Sequence, residues 1–193
     1  MHPCTSEKNN RVVILSAPSG SGKSTLAKHL FQCFPLLTLS VSATTRPLRG
    51  EEIEGRDYYF LSHEEFAEKV AQDAFVEWEE VYQGLRYGTL KSELERIWES
   101  GRSILFDVDV KGGVRLKQIF GEQALSIFIQ PPSLEVLQER LEQRGTDTPE
   151  SIRKRLAKVR EEMAYSSSFD QIIVNDDLEK SKYQIEMVVG MFI

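Results

Sequence analysis

The chain has 193 residues, 40% of them hydrophobic and 28% charged, with a formal net charge of −6. That is enough for one globular domain with a substantial core. The acidic balance argues against a nucleic-acid groove or an anionic membrane surface as the main partner, although a local arginine cluster can still hold a small anion.

The first ten residues, MHPCTSEKNN, lack the hydrophobic region of a secretory signal and read as a disordered tail, residues 1–10, on a cytoplasmic protein. No apolar run approaches the ~20 residues that span a bilayer. Cys4 and Cys33 form no C-x-x-C pair, and His2, His29 and His63 are scattered, so a structural zinc site is not expected. Cys33 reads as a packing residue near a helix end.

Arg11–Ser16, RVVILS, is a short apolar run bounded by turn residues and predicts a buried strand. The stretch Ala17, Pro18, Ser19, Gly20, Ser21, Gly22, Lys23, Ser24, Thr25 follows, and a helix continues to Phe34. It matches the phosphate-loop pattern G-x-x-x-x-G-K-[ST] except that Ala17 replaces the first glycine. Alanine serves there if its φ stays negative. Gly20 and Gly22 permit the tight turn, Lys23 reaches the transferring phosphates, and the Ser24 hydroxyl reaches Mg²⁺. A chance Gly/Ser turn is the alternative, and the strand, loop and helix in register weigh against it. ATP is the expected ligand.

Further buried strands are predicted over Leu37–Ser42, Ser103–Val110, Ala124–Gln130 and Gln171–Asn175. Helical stretches separate most of them. One starts with Thr89 as N-cap, one starts at Ser133 and stops before Gly145, and one has Thr148 as N-cap with Pro149 first. The last runs from Leu178 to Phe192. Apolar strands alternating with helices predict a parallel α/β sheet covered on both faces.

Thr44–Thr89 breaks this rhythm with charged and aromatic residues around a short helix, HEEFAEKVAQ. It predicts a small insertion of short antiparallel strands over the carboxyl ends of the sheet. Ser42, Arg46 and Arg49 follow the second core strand, and the two arginines can fork around one phosphate. The alternative is surface pairing with Glu51 and Glu52. Tyr58 and Tyr87 add phenolic donors or stacking faces. Glu77 sits in an apolar-aromatic run, where a carboxylate needs partners. Guanine offers two adjacent donors to one carboxylate, and the Ser42 and Thr89 hydroxyls suit guanine O6.

The stretches SAPSGSGKST, SVSATTRPLRGE, GRDYYF, FVEWEEVYQGLRYGT, FDVDVKGG, ERLEQRGTDT, SIRKRL and IVNDDL occur in this order. Together they resemble the guanylate kinases, the GMP kinases of nucleotide metabolism, over about Arg11 to Val188. The resemblance implies a P-loop NTPase-type three-layer α/β fold with a mostly parallel five-stranded sheet. It implies a single domain over 11–190, with a GMP-binding insertion near 44–89 and a helical lid near 140–160. It implies ATP-dependent phosphorylation of GMP, with Mg²⁺ as cofactor. Ser42, Arg46, Arg49, Tyr58, Glu77, Tyr87, Thr89 and Asp109 would line the GMP pocket, and Asp107 would lie near Mg²⁺. An N-capping pair is the plainer reading of Asp107 and Asp109. Lys111 departs from a common glutamine, and pairing with Asp109 is one account of it.

Arginines at 140, 144, 153 and 155 surround a Gly-Thr-Asp-Thr turn. A lid can bring such groups to the charge on a transferred phosphoryl. The resemblance points to Arg144 and Arg155, with Arg140 as helper, and places Asn175 and Asp176 near adenine. Nothing reads the ribose 2′ position, so dGMP is expected beside GMP. A non-catalytic module of the same fold is a second reading, opposed by the retained Lys23. A P-loop kinase for another acceptor is a third, opposed by Glu77. No nucleic-acid or membrane partner is expected, and a homo-oligomer stays open.

Overall fold

The computed structural model describes residues 10–82, 84–143 and 149–193. The predicted tail through residue 9, the Thr148 cap and Arg144 lie outside them, as does the side chain of Arg140. In chain order the strands are β1 (Val12–Ser16), β2 (Leu37–Leu39), β3 (Ala43–Thr44), β4 (Tyr59–Phe60), β5 (Phe75–Tyr82), β6 (Leu85–Leu90), β7 (Ser103–Val108), β8 (Ala124–Gln130) and β9 (Gln171–Val174). The α-helices are α1 (Lys23–Cys33), α2 (His63–Ala71), α3 (Lys91–Glu99), α4 (Val110–Phe120), α5 (Leu134–Gln143), α6 (Pro149–Met163) and α7 (Leu178–Gly190). No helix among the described residues is long and apolar enough to cross a membrane.

Five strands form one parallel sheet in the order β2-β7-β1-β8-β9. Every residue of β1 is buried, so alternate side chains must serve opposite faces. Val13 and Leu15 pack with Leu26 and Leu30 of α1 and with Ile185 and Val189 of α7. Val12 and Ile14 pack with Leu94 and Ile97 of α3 and with Leu116 of α4. Three layers result from one strand's period-2 pattern. Gly113 lets α4 approach closely, because a Cβ there would stand 2.3 Å from Ser16 Oγ and 3.1 Å from the Phe169 ring.

Three predicted boundaries shift. β2 ends at Leu39 because the chain then turns toward a second sheet, where Ser42 accepts from Tyr59 N–H. β7 ends at Val108 because Asp109 caps α4, its Oδ1 accepting from Gly112 N–H at 2.7 Å. Thr89 is not the N-cap of α3: β6 runs on through Leu90, which occupies the cap position without a side-chain bond.

The second sheet has the order β4-β3-β6-β5. Its β3–β6 and β5–β6 pairs are antiparallel, as expected, but β3 and β4 pair in parallel. The long loop between them carries the chain back to its starting edge, as a parallel pair requires. Helix α2 has a reciprocal cap, with Ser62 accepting from Glu65 N–H and Glu65 accepting from Ser62 N–H. It buries Phe66 against Phe75, ring centroids 4.5 Å apart.

Glu93 of α3 joins this sheet to the core. Its fully buried carboxylate accepts from Val41 N–H at 3.0 Å, Tyr59 O–H at 2.9 Å and two Arg96 N–H groups at 2.9 Å. Burial alone would raise its pKa, but the Arg96, Val41 and Tyr59 bonds together hold it below the ordinary glutamate value. Glu93→Gln is expected to lower the unfolding free energy at neutral pH by about 1–3 kcal/mol. Urea melts should show an earlier midpoint at unchanged slope. A depressed carboxyl pKa stabilises fully above the unfolded value, 4.5, and loses its effect as pH falls through the folded one. The gap between wild type and variant should therefore close in acid. Equal stability at neutral pH would remove Glu93 as the joint.

Candidate active site

The loop after β1 turns with Gly20 and Gly22 at φ +92°. Gly22 has a second constraint, since a Cβ would meet Asn175 Nδ2 at 2.3 Å. Helix α1 then starts with no side-chain cap and no acidic residue in its first turn. By contrast, α2, α4 and α7 all have capping side chains. The uncapped N–H groups and the helix dipole leave a favourable place for an anion. Lys23 donates to Val108 O at 3.0 Å and forms an ion pair with Asp107. A cavity of about 410 Å³ lies over the loop, bordered by Lys23, Ser24, Thr25, Asp107 and Asp109.

Asn175 is buried, and its amide donates to Ser21 O at 2.8 Å, so it holds the loop from beneath. Asp176 is exposed beside Thr25, Gln143 and Leu178 in an adjoining groove of about 380 Å³. Asn175 lines the same groove, so the two residues expected together on the adenine side do lie together, and Asn175 supports the loop as well.

A cavity of about 240 Å³ separates the second sheet from the end of β7. It brings together five of the predicted GMP-pocket residues, Ser42, Tyr58, Glu77, Tyr87 and Asp109, together with Asp107. Thr89 joins them through its hydroxyl, which donates to Glu77 Oε1 at 3.0 Å. Pairing of β5 with β6 sets Glu77 opposite Thr89 and makes that bond local. Burial raises the Glu77 pKa; Thr89 and Arg115 oppose the shift, and Asp109 and Glu79 add to it.

The arginine fork is not assembled in this state. Arg46 is buried, and its guanidinium grips Glu52 through two bonds of 2.6 Å. It also stacks over Tyr58 at 4.6 Å. Arg46 first, then the Arg49 N–H, pull the Glu52 pKa down to about 2 against the opposing effect of burial. Arg49 is exposed and engages Glu52 through its backbone N–H at 2.9 Å. Pairing with Glu52, the plainer reading of these arginines, is the arrangement observed. No ion pair joins Lys111 to Asp109, whose carboxylate caps α4; Lys111 is exposed at the cleft.

From the lid, Arg155 Nη1 reaches Ser19 Oγ at 3.3 Å. Lys158 and Glu162 share its helix face, at i+3 and i+7, and also line the cleft. They form an ion pair at 3.6 Å. Burial raises the Glu162 pKa, with Lys158 opposing and Asp109 reinforcing the shift. Sequence reasoning missed both residues, although their spacing from Arg155 was a usable signal. Lys158 and Asp109 border the loop cavity, the 240 Å³ cavity and a third cavity of about 680 Å³, so the three form one cleft.

Residues 9–190 match the family model described as guanylate kinase. A guanylate kinase of Bacteroides fragilis is 48% identical over 183 residues, spanning 95% of this chain and 90% of that protein. One from Porphyromonas gingivalis is 49% identical, spanning 95% and 98%. A crystal structure of guanylate kinase from Anaplasma phagocytophilum aligns with a TM-score of 0.72 at 32% identity, covering 94% and 85%. A cleft joining a phosphate loop to a carboxylate-bearing pocket is what such enzymes need, and the match runs along nearly the whole chain. The chain belongs to the guanylate kinase family, the kinases that use ATP to convert GMP to GDP.

Proposed function

We propose that this guanylate kinase binds ATP on the loop Ala17–Thr25 and GMP in the cavity between the second sheet and β7, and that it also accepts dGMP. The observation that carries the assignment is Glu77. Its carboxylate sits in a cavity whose far wall, Asp107–Asp109, also borders the phosphate-loop cavity. A guanine bound to Glu77 would project its phosphate toward that shared wall.

The acceptor assignment rests on complementarity. A carboxylate only accepts, and guanine N1–H and N2–H₂ only donate. Adenine presents a bare N1 lone pair to the same oxygen and would leave Glu77 buried and unpaired. The Thr89 hydroxyl donates its hydrogen bond to Glu77 and fixes the carboxylate's orientation, so its single O–H is not directed at guanine O6 as the sequence suggested.

In the reaction, a GMP phosphate oxygen attacks the γ-phosphorus of ATP and ADP leaves in line, with no covalent enzyme intermediate. Lys23 and the α1 N-terminus hold the donor phosphates. Arg155, with Arg140 and Arg144, is assigned to the charge on the transferred group. Arg46 and Arg49 are assigned to the GMP phosphate. Asn175, Asp176 and Thr25 border the groove assigned to adenine. Ser24 and Asp107 fit Mg²⁺, because both offer exposed oxygen donors beside the loop and this ion takes few protein oxygens. Bound there, the ion would neutralise charge between the β- and γ-phosphates. The setting we assign is cytoplasmic, where both nucleotides are available. A non-catalytic module is disfavoured by Lys23, which already points its ammonium into the loop cavity beside Asp107.

Three outcomes are expected. Lys23→Ala should lower kcat by roughly 10²–10³-fold or more, while directly measured GMP affinity holds. Near wild-type turnover would overturn the loop assignment. Arg46→Ala and Arg49→Ala should each raise KM for GMP and lower kcat, since a misplaced acceptor reacts slowly. Unchanged GMP kinetics in both would put the acceptor phosphate elsewhere. Glu77→Gln should lose about 2–4 kcal/mol in kcat/KM for GMP, with the ATP KM little changed. The pH profile adds a sign. Glu77 must be ionised to accept both guanine donors, and its pKa lies above 4.5. Wild-type kcat/KM should fall with pH on a limb above that value, and the variant should lack the limb. A variant as efficient as wild type would show that Glu77 does not read guanine.

A further inference from the structure

Away from the cleft, α1 and α7 pack along one seam through Leu26, Leu30, Ile185 and Val189. At the edge of that seam three metal-ligating side chains meet. His29 and Cys33 are one turn apart on α1, and Glu186 faces them from α7, 157 residues from His29 in sequence. His29 Nε2 stands 3.5 Å from Cys33 Sγ and 3.3 Å from Glu186 Oε2. One donor atom from each residue lies within 4.8 Å of the other two.

These spacings have a chemical meaning. Bonds of about 2.0 Å to nitrogen and oxygen and about 2.3 Å to sulfur, at tetrahedral angles, set N···S near 3.6 Å and N···O near 3.3 Å. The two observed distances match those edges. The donors also differ in kind from those suited to Mg²⁺. An imidazole, a thiolate and one carboxylate suit a borderline-soft transition ion, whereas Mg²⁺ takes oxygen. His29 and Cys33 are half-buried and Glu186 is exposed, so the site has rigid donors on α1 and an open side toward solvent.

We infer that His29, Cys33 and Glu186 form a three-residue site for a divalent cation of the zinc class, with water in the fourth position. The imidazole binds in its neutral form, and the thiol releases its proton to solvent as the S–metal bond forms. The ion would clip α7 to the end of α1 opposite the phosphate loop. It would therefore stabilise the fold without entering the cleft. Scattered histidines and unpaired cysteines argue against zinc in the sequence, because the fold alone brings Glu186 to His29 and Cys33.

The test uses the full chain and Co²⁺ as a spectroscopic probe. Wild type should develop a thiolate-to-cobalt charge-transfer band and the intense visible bands of a four-coordinate ion, and Zn²⁺ should displace both. Cys33→Ser should abolish the charge-transfer band, Cys4→Ser should keep it, and His29→Gln and Glu186→Gln should each weaken binding at least about tenfold. Zn²⁺ should also raise the Tm of wild type but not of Cys33→Ser, which separates this site from metal binding in the cleft. Kinase activity of Cys33→Ser with Mg²⁺ and ATP should match wild type. The proposal fails if no thiolate band appears with cobalt in large excess. It also fails if the band follows Cys4, or if the Zn²⁺-induced Tm shift persists in Cys33→Ser.

Discussion

The parallel pairing of β1 with β7 decides where the rest of the molecule must go. Leu15 lies opposite Asp107 and Ser16 opposite Val108, so both strands end at one edge. The phosphate loop leaves one strand and the Asp107–Asp109 wall leaves the other. Lys23 closes the gap by reaching back to Val108 O and Asp107. With β8 on the other side of β1, connections diverge at this edge, which is where open α/β sheets take ligands. A one-residue slip would reverse the faces of β1 and separate Lys23 from Asp107. The close approach at Gly113 guards the same register, because α4 can lie against Ser16 only where no Cβ intervenes.

The acceptor side depends on a different kind of constraint. Its sheet has its own small core around Phe66 and Phe75 and is tied to the parallel sheet by few groups. From helix α3, the buried Glu93 carboxylate makes two of those ties, to the chain after β2 and to strand β4, and Arg96 of the same helix balances its charge. Losing any of these donors leaves a fully buried carboxylate short of a partner. The arrangement fixes the base of the second sheet, while among the described residues its far edge and the arginine loop have no bond to this joint. A kinase that must exclude water during transfer needs that combination.

Much of this was legible because it is local. The strand–loop–helix around Lys23 and the apolar core strands are written in short windows, and β1, β8 and α1 stand within a residue of their predicted bounds. Glu77 was legible as a carboxylate in an apolar run that demanded a partner. Its partner was harder: Thr89 looked like a helix cap because Ser and Thr serve caps and cross-strand bonds equally well, and only the β5–β6 register separates the two. The parallel β3–β4 pair, the Glu93 joint and the meeting of His29 with Glu186 were out of reach, because each depends on residues far apart in sequence. Lys158 and Glu162 were hidden differently, among many charged residues on α6 that look alike until one helix face is seen to line the cleft.

Two cations assigned to phosphate, Lys23 and Arg46, and a third that lines the cleft, Lys158, share one feature that bears on how the cleft fills. Lys23 is held by Asp107, Arg46 by Glu52 and Lys158 by Glu162. On the assignments proposed above, nucleotide binding would exchange one anion for another at cations that are already paired. The exchange stays favourable only if the displaced carboxylates are not stranded. Glu52 is partly exposed and can hydrate, Asp107 is exposed beside Ser24 at the position assigned to Mg²⁺, and burial raises the Glu162 pKa. On those assignments, the acid-rich cleft of an acidic protein suits two polyanionic ligands, because phosphate would take over cations that carboxylates already pair.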